Sequence, residues 1–226
     1  DPGLVYLAPE TTRADATQLV RRRESFKTSA ANSPKAAPTF TDILAKLTAA
    51  ALRQHPLLNA QWREDGVFIP DDINIAIAVD TEDGLLAPVL RDVARLTLEQ
   101  VAAASRSLVE QARARRLTPG QLRGGTFTLT NLGSLGVDAF TPILNLPQCA
   151  TLGVGRIQRE PVVAGAEIVI REMFTLSLTF DHRIVDGAPA ARFLQTLRGF
   201  IESPEPYATL ASRTATESNW ESGKGG

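Results

Sequence analysis

The apolar positions of this chain fall into two periods, and the change from one to the other marks out its elements. Phe174, Leu176, Leu178 and Phe180 alternate with Thr175, Ser177 and Thr179, the spacing of a strand with one buried face. Residues 73–79 (INIAIAV), 126–132 (TFTLTNL), 150–154, 168–170 and 173–180 read as strands, and residues 4–8 as a short one. Residues 84–92 (GLLAPVLRD) look like the hairpin partner of 73–79. Pro88 requires an edge position or a bulge there, because it has no N–H to give a ladder. Apolar residues three and four apart predict helices over 15–27, 41–55, 97–116 and 189–201. In the second of these Ile43, Leu44, Leu47, Ala50 and Ala51 make one stripe, Thr41 stands where it can cap the start, and Pro56 ends the helix. The third opens on Thr97-Leu98-Glu99-Gln100, a capping box. Residues 29–38, rich in Ala, Ser, Asn and Pro, read as a loop. Helices and strands alternate irregularly, so the expected fold class is α/β, a mixed β-sheet with helices packed on it.

Composition narrows the function classes. The 226 residues are 43% hydrophobic, enough for a substantial core, and the net charge of −1 argues against a nucleic-acid partner. Cys149 is the only cysteine. It excludes an internal disulfide and a multi-cysteine zinc site, fits a reducing compartment, and reads as a small buried apolar residue within QCATLGVG. No metal is expected. No apolar run approaches the ~20 residues that span a membrane, and the N-terminus has no signal-peptide pattern. The chain starts without Met, as a fragment of something longer would. Residues 1–204 are expected to form one domain. Residues 205–226 form a polar, glycine-rich tail that is expected to be disordered.

The chain has two histidines, His55 and His182. His55 falls in the last turn of a predicted helix, where a cation is favourable. His182 continues the strand alternation onto the apolar side, with Asp181 opposite. An imidazole flanked by apolar side chains is held as the free base, since desolvation disfavours the imidazolium from its reference pKa of roughly 6.5. That is what a general base needs; a core histidine satisfied by a backbone carbonyl would show the same spacing. Asp186, four residues on, is placed to cap the final helix or to fix the turn through an arginine, and Gly187 suits a close backbone approach. In GGTFTLTNLGSLG (residues 124–136) Thr126, Thr128 and Thr130 share one strand face. They read as ordinary sheet surface, or Thr130, next to the glycines, as a hydroxyl donor to an oxyanion. The glycines do not fit a phosphate loop. Arg21, Arg22 and Arg23 read as a solvated helix face or as phosphate contacts.

DHRIVDGA together with GGTFTLTNLGSLG resembles the catalytic core of the dihydrolipoamide acyltransferases of 2-oxo acid dehydrogenase complexes. HPLLNAQW, INIAIAVDTEDGLLAPVLRD and LPQCATLGVG follow in the family's order, so the resemblance runs from about residue 4 to residue 204. The H-x-x-x-D-G pattern alone is shared with chloramphenicol acetyltransferase and with peptide-synthetase condensation domains. Those usually carry a second histidine where this chain has Asp181. The chain departs from the family in starting after its usual arginine-rich first helix, in lacking a lipoyl-lysine motif, and in replacing its leucine-rich end with ESPEPYATLASRTATESNW.

The resemblance implies a chloramphenicol acetyltransferase-like, trimer-forming fold and acyl transfer between dihydrolipoyl-lysine and coenzyme A. The acyl group would be acetyl, with branched-chain groups next. It implies that His182 is the base, that Thr130 from a neighbouring subunit donates to the oxyanion, and that Asp186 organises the turn. Asn131 and Ser134 would lie near coenzyme A. The implied partners are two further copies, possibly a larger core, a lipoyl domain, and the 2-oxo acid dehydrogenase and dihydrolipoamide dehydrogenase subunits. The implied location is the cytoplasm of a bacterium or archaeon, or the mitochondrial matrix of a eukaryote. A silent scaffold subunit and a free-standing small-molecule acetyltransferase are the alternatives. The presence of His182 speaks against the first, and Asp181 in place of a histidine speaks against the second.

Overall fold

The computed structural model describes residues 5–30 and 37–204; the predicted tail lies outside them. Eleven strands and four helices run in the order β1 (Leu7–Asp15), α1 (Thr17–Ala30), α2 (Phe40–Gln54), β2 (Gln61–Arg63), β3 (Gly66–Phe68), β4 (Ile75–Ile77), β5 (Val79–Thr81), β6 (Gly84–Leu86), β7 (Val89–Leu90), α3 (Leu98–Arg113), β8 (Phe127–Asn131), β9 (Ala150–Val154), β10 (Gln158–Ala164), β11 (Glu167–Asp181) and α4 (Gly187–Glu202). The main sheet has the order β1-β11-β9-β8-β4-β7, with β10 paired to the first half of β11. Strand β8 runs parallel to β4 and β9, and the other pairings are antiparallel. The sheet is therefore mixed. Among the described residues no helix is long and apolar enough to cross a membrane.

Several elements differ from the sequence reading. The first strand lies at Leu7–Asp15 rather than 4–8, because all nine residues pair with β11, from Leu7 with Asp181 to Asp15 with Met173. The strands expected at 168–170 and 173–180 are one strand. The polar pair Arg171 and Glu172 does not break it, since both are matched by charged residues of β10, Glu160 and Arg159. Strand β10 itself carries apolar residues on both faces and a proline, which an edge strand tolerates. The cap of α2 is Thr39, not Thr41. Asp42 stands three residues after Thr39, and the two form a reciprocal capping box: Asp42 N donates to Thr39 Oγ1 at 3.2 Å, and Thr39 N donates to Asp42 Oδ2 at 2.8 Å. Residues 73–79 split between the main sheet (β4) and a separate β5–β6 hairpin, and Pro88 precedes β7, the strand at the sheet's far edge. The Thr97–Gln100 capping box is present as read.

One face of the sheet carries the core. Phe127, Leu129, Leu152, Phe174, Leu176, Leu178 and Phe180 project from it and are buried with Ile43, Leu44 and Leu47 of α2 and Phe193, Leu194 and Leu197 of α4. Each fully buried side chain of this kind contributes about 1.5–3 kcal/mol. Cys149 is also buried, and its thiol is pushed up to about 12 by burial, so it behaves as an apolar residue. Lys46, on the same helix as the core leucines, is buried too. Its ammonium donates to the carbonyl oxygens of Val93 (3.1 Å), Ala94 (2.9 Å) and Leu96, tying α2 to the turn before α3.

The other face is polar yet also buried. Thr128, Thr151, Ser177, Thr179 and Asp181 project from it, all buried. Residues 137–149 lie across it. Gln148 accepts from the Thr128 hydroxyl at 2.6 Å, and Asn145 Nδ2 donates to the same oxygen at 3.3 Å. The Phe140 ring occupies the space that a side chain at Gly153 would need, and the Asp138 carbonyl crosses directly over Gly155.

Lys46→Met keeps the apolar stem but strands one buried and two partly buried carbonyls. It should lower the unfolding free energy by about 3 kcal/mol in urea titration. At Gly155 a Cβ would stand 2.0 Å from the Asp138 oxygen, so Gly155→Ala must displace the covering segment and should lose about 3 kcal/mol in the same measurement.

Candidate functional site

The predicted site residues form two groups. The first lies where β11 ends. The His182 backbone N–H donates to the Tyr6 carbonyl at 2.8 Å, which holds the residue against β1. Its ring packs beside that of Phe180, with centroids 5.8 Å apart, so it lies on the apolar side as the alternation required. The dry surroundings are missing within one chain: the side chain is 45% exposed. Asp186 lies 3.6 Å from the imidazole Nδ1, within ion-pair range and beyond a good hydrogen bond. It holds the N-cap position of α4, yet its carboxylate makes no capping hydrogen bond and is 83% exposed. The expected capping role is therefore not seen. Nor does Asp186 hold an arginine, because Arg183 turns back to Asp181 instead.

That Arg183–Asp181 pair is the tightest polar feature of the chain near His182. Arg183 Nε donates to Asp181 Oδ1 at 2.9 Å and Oδ2 at 3.1 Å, and Nη2 donates to Oδ2 at 2.6 Å. The Arg183 backbone N–H adds a bond to Oδ1 at 3.0 Å. Asp181 is 1% exposed and Arg183 14%. The two residues flanking His182 are thus bonded to each other, which closes a ring around its Cα. A third carboxylate comes from β1. Glu10 Oε1 stands 3.0 Å from where a Gly187 Cβ would be, beside the start of α4. Burial pushes the Glu10 carboxyl up, and His182 pulls it back down.

The second group lies at the C-terminal end of β8. Thr130 is half-buried, next to Asn131 and a short 3₁₀ turn, Gly133–Leu135, that carries the exposed Ser134. Asn131 Nδ2 donates to Thr41 Oγ1 at 3.2 Å, and its Oδ1 accepts from Gly133 N at 2.9 Å. Both of its polar ends thus hold the turn to α2. Gly136 completes the turn at φ 82°, and a Cβ on Gly133 would meet the Gly155 carbonyl at 2.6 Å.

The sheet register fixes how the two groups relate. Thr130 pairs with Gly153 and Gly153 with Ser177, so these three share one face. His182 lies five residues beyond Ser177 on β11, about 16 Å along the strand and two strands, about 10 Å, across. Its ring is on the opposite face, beside Phe180. One chain therefore keeps His182 and Thr130 far apart.

Three other residues read from the sequence have local structural partners. His55 ends α2 with Nε2 2.8 Å from the Thr196 hydroxyl, and burial pushes its pKa down, against the cation expected there. Arg22 lies over the Phe26 ring, and Arg23 over that of Phe40. The sequence reading missed the Asp181–Arg183 pair, for which the D-x-R spacing at a strand end was the available signal. It also missed Trp62, whose ring stands 4.4 Å from the Arg183 guanidinium carbon. No local pattern could have joined positions 62 and 183.

With that geometry in hand, comparison with known proteins is informative. The family model described as 2-oxoacid dehydrogenases acyltransferase (catalytic domain) matches residues 8–209. The dihydrolipoyllysine-residue acetyltransferase component of the pyruvate dehydrogenase complex of Acholeplasma laidlawii is 39% identical over 203 residues, covering 88% of this chain; the chain spans 37% of that relative's length. A crystal structure of Azotobacter vinelandii dihydrolipoamide acetyltransferase, from work on a serine, a histidine and an asparagine in its catalytic mechanism, superposes with TM-score 0.86 at 35% identity, covering 90% of this chain and 84% of that one. The cubic core of a pyruvate dehydrogenase multienzyme complex gives TM-score 0.86 at 36% identity, with the same coverages. Chloramphenicol acetyltransferase, at 13% identity and TM-score 0.59, shares the fold. On this match the chain belongs to the family of 2-oxoacid dehydrogenase acyltransferase catalytic domains.

Proposed function

We propose that this chain transfers an acyl group, acetyl by preference, between the thiol of a dihydrolipoyl-lysine and the thiol of coenzyme A, at a site shared by neighbouring copies in a trimer. The observation that carries the reading is the separation of His182 from Thr130, on opposite faces and at opposite ends of the sheet. A base and an oxyanion donor so placed can serve one carbonyl only if each comes from a different copy. The spacing supports the assignment, with Thr130 and Asp186 standing where the Azotobacter protein has a serine and an asparagine. In the Azotobacter protein the serine stands 52 residues before the histidine and the asparagine four after it. Thr130, His182 and Asp186 repeat both intervals.

In the proposed reaction the His182 imidazole takes the proton from the coenzyme A sulfhydryl. The thiolate adds to the thioester carbonyl of the acyl-lipoyl group, and the Thr130 hydroxyl of the neighbouring copy donates to the oxygen as it becomes negative. Collapse re-forms the carbonyl and expels the lipoyl sulfur, which takes the proton back from the imidazolium. One thioester is broken and one is made. The barrier rather than the equilibrium is what the protein must change. The ring is 45% exposed in the single chain; in the assembly the neighbouring copy would complete its enclosure. Asn131 and Ser134, at the Thr130 end, would face the coenzyme A side, and Asp186 would orient the imidazole. A lipoyl domain, the partner dehydrogenases and a larger core belong to the same reading.

The test uses acetyl-coenzyme A with dihydrolipoamide as acceptor. His182→Ala should reduce turnover about 10²- to 10⁴-fold, and Thr130→Val about 10²- to 10³-fold. The two inactive proteins, unfolded together and co-refolded, should regain turnover, because roughly a quarter of the interfaces in randomly mixed trimers join an intact His182 to an intact Thr130. A mixture as inactive as its parents would rule out the shared site. Isobutyryl- and succinyl-coenzyme A in parallel would rank the acyl groups.

A further inference from the structure

We propose that Trp62 is a positioning residue for His182, acting through Arg183; this rests on the acyl-transfer reading above. The ring closed by Asp181 and Arg183 around His182 fixes the direction of the imidazole. It can do so only while the ion pair stays dry: exposed pairs of this kind contribute little and break readily. Arg183 is 14% exposed, and its guanidinium carbon lies 4.4 Å from the Trp62 ring. The guanidinium thus lies over the indole ring, at a distance where a cation is attracted to an aromatic face and partly shielded from water.

Trp62 is well anchored for this task. It sits on the short β2–β3 ribbon, apart from the main sheet, and its backbone N–H donates to the Pro147 carbonyl at 3.2 Å. Just before it in the chain, Gln61 bridges to Gln148 and Ala60 accepts from Cys149 N at 2.9 Å. Cys149 in turn accepts from Asp181 N at 2.8 Å. A chain of backbone bonds therefore runs from the tryptophan's ribbon to the aspartate of the clamp, so the indole and the ion pair keep a fixed relation. The ring is half-buried, and Trp62 is not among the residues of the hydrophobic core. Its partner of note is the cation next to the proposed base.

Without the indole, water reaches the guanidinium, the clamp loosens and the imidazole wanders from the thiol. Substrate binding elsewhere is unaffected, so the loss should fall on kcat. Trp62→Ala should lower kcat about tenfold with KM for both thiol substrates within about twofold, since a misplacement of ~1 Å can reduce rate by that much or more. Trp62→Phe keeps a ring face and should recover most of the loss. A second arm reads the stack without catalysis. The chain has two tryptophans, 62 and 220, so Trp220→Phe leaves Trp62 as the sole indole. Adding Arg183→Lys, which keeps the charge but removes the plane, should change its emission intensity and maximum. Unchanged emission would show that the stack does not exist. Unchanged kcat in Trp62→Ala, or a kcat in Trp62→Phe as low as in Trp62→Ala, would show that it does not position the base. Each of these overturns the proposal while leaving acyl transfer standing. An unsubstituted protein that transfers no acyl group from any donor would instead overturn the acyl-transfer reading, and this proposal with it.

Discussion

The ion pair between Asp181 and Arg183 is the constraint around which the end of β11 is organised. A carboxylate at 1% exposure needs a partner, and the nearest cation that the chain can supply is two residues on, past His182. Meeting that need forces the backbone into a tight loop with His182 at its apex. Ile184 and Val185 donate to the Asp181 carbonyl as the chain turns toward α4. The core and the site are thus linked by one electrostatic requirement. The strand is long and apolar enough to bury its last residue, and the burial of that residue decides where the next one points.

The two sheet faces divide the work. The apolar face anchors β11 and α4, and with them the imidazole. The polar face, with its row of threonines under residues 137–149, carries Thr130. Close backbone approaches at Gly133 and Gly155 fix the turn that follows it. Main-chain geometry positions the Thr130 end, whereas at His182 the Asp181–Arg183 side-chain pair adds its own constraint.

Much of this fold was legible in the sequence. The strict alternation from Phe174 to Phe180 and the Thr97–Gln100 box both found their elements, because each is a local pattern with one physical meaning. Strand β10 was not legible, because its apolar residues fall on both faces and its proline argues against a strand. Its pairing with β11 comes from the hairpin and not from its own composition. The choice of Thr39 over Thr41 as a cap turned on Asp42, a detail of spacing open to a closer reading. The site was legible only in parts. His182, Asp186 and Thr130 stood out by type and motif. The indole over Arg183 did not, since 121 positions separate the two residues. The distance between His182 and Thr130 depends on strand register, which alternation alone does not give.

The opposed placement of these two residues bears on how the protein would respond to dilution. The described core is buried within a single chain. On the shared-site proposal, a lone subunit that kept its fold would hold only half of the machinery. Loss of activity and loss of structure would be separate events with separate midpoints. The first would be set by how tightly the copies hold one another, the second by the packing of one sheet against its helices.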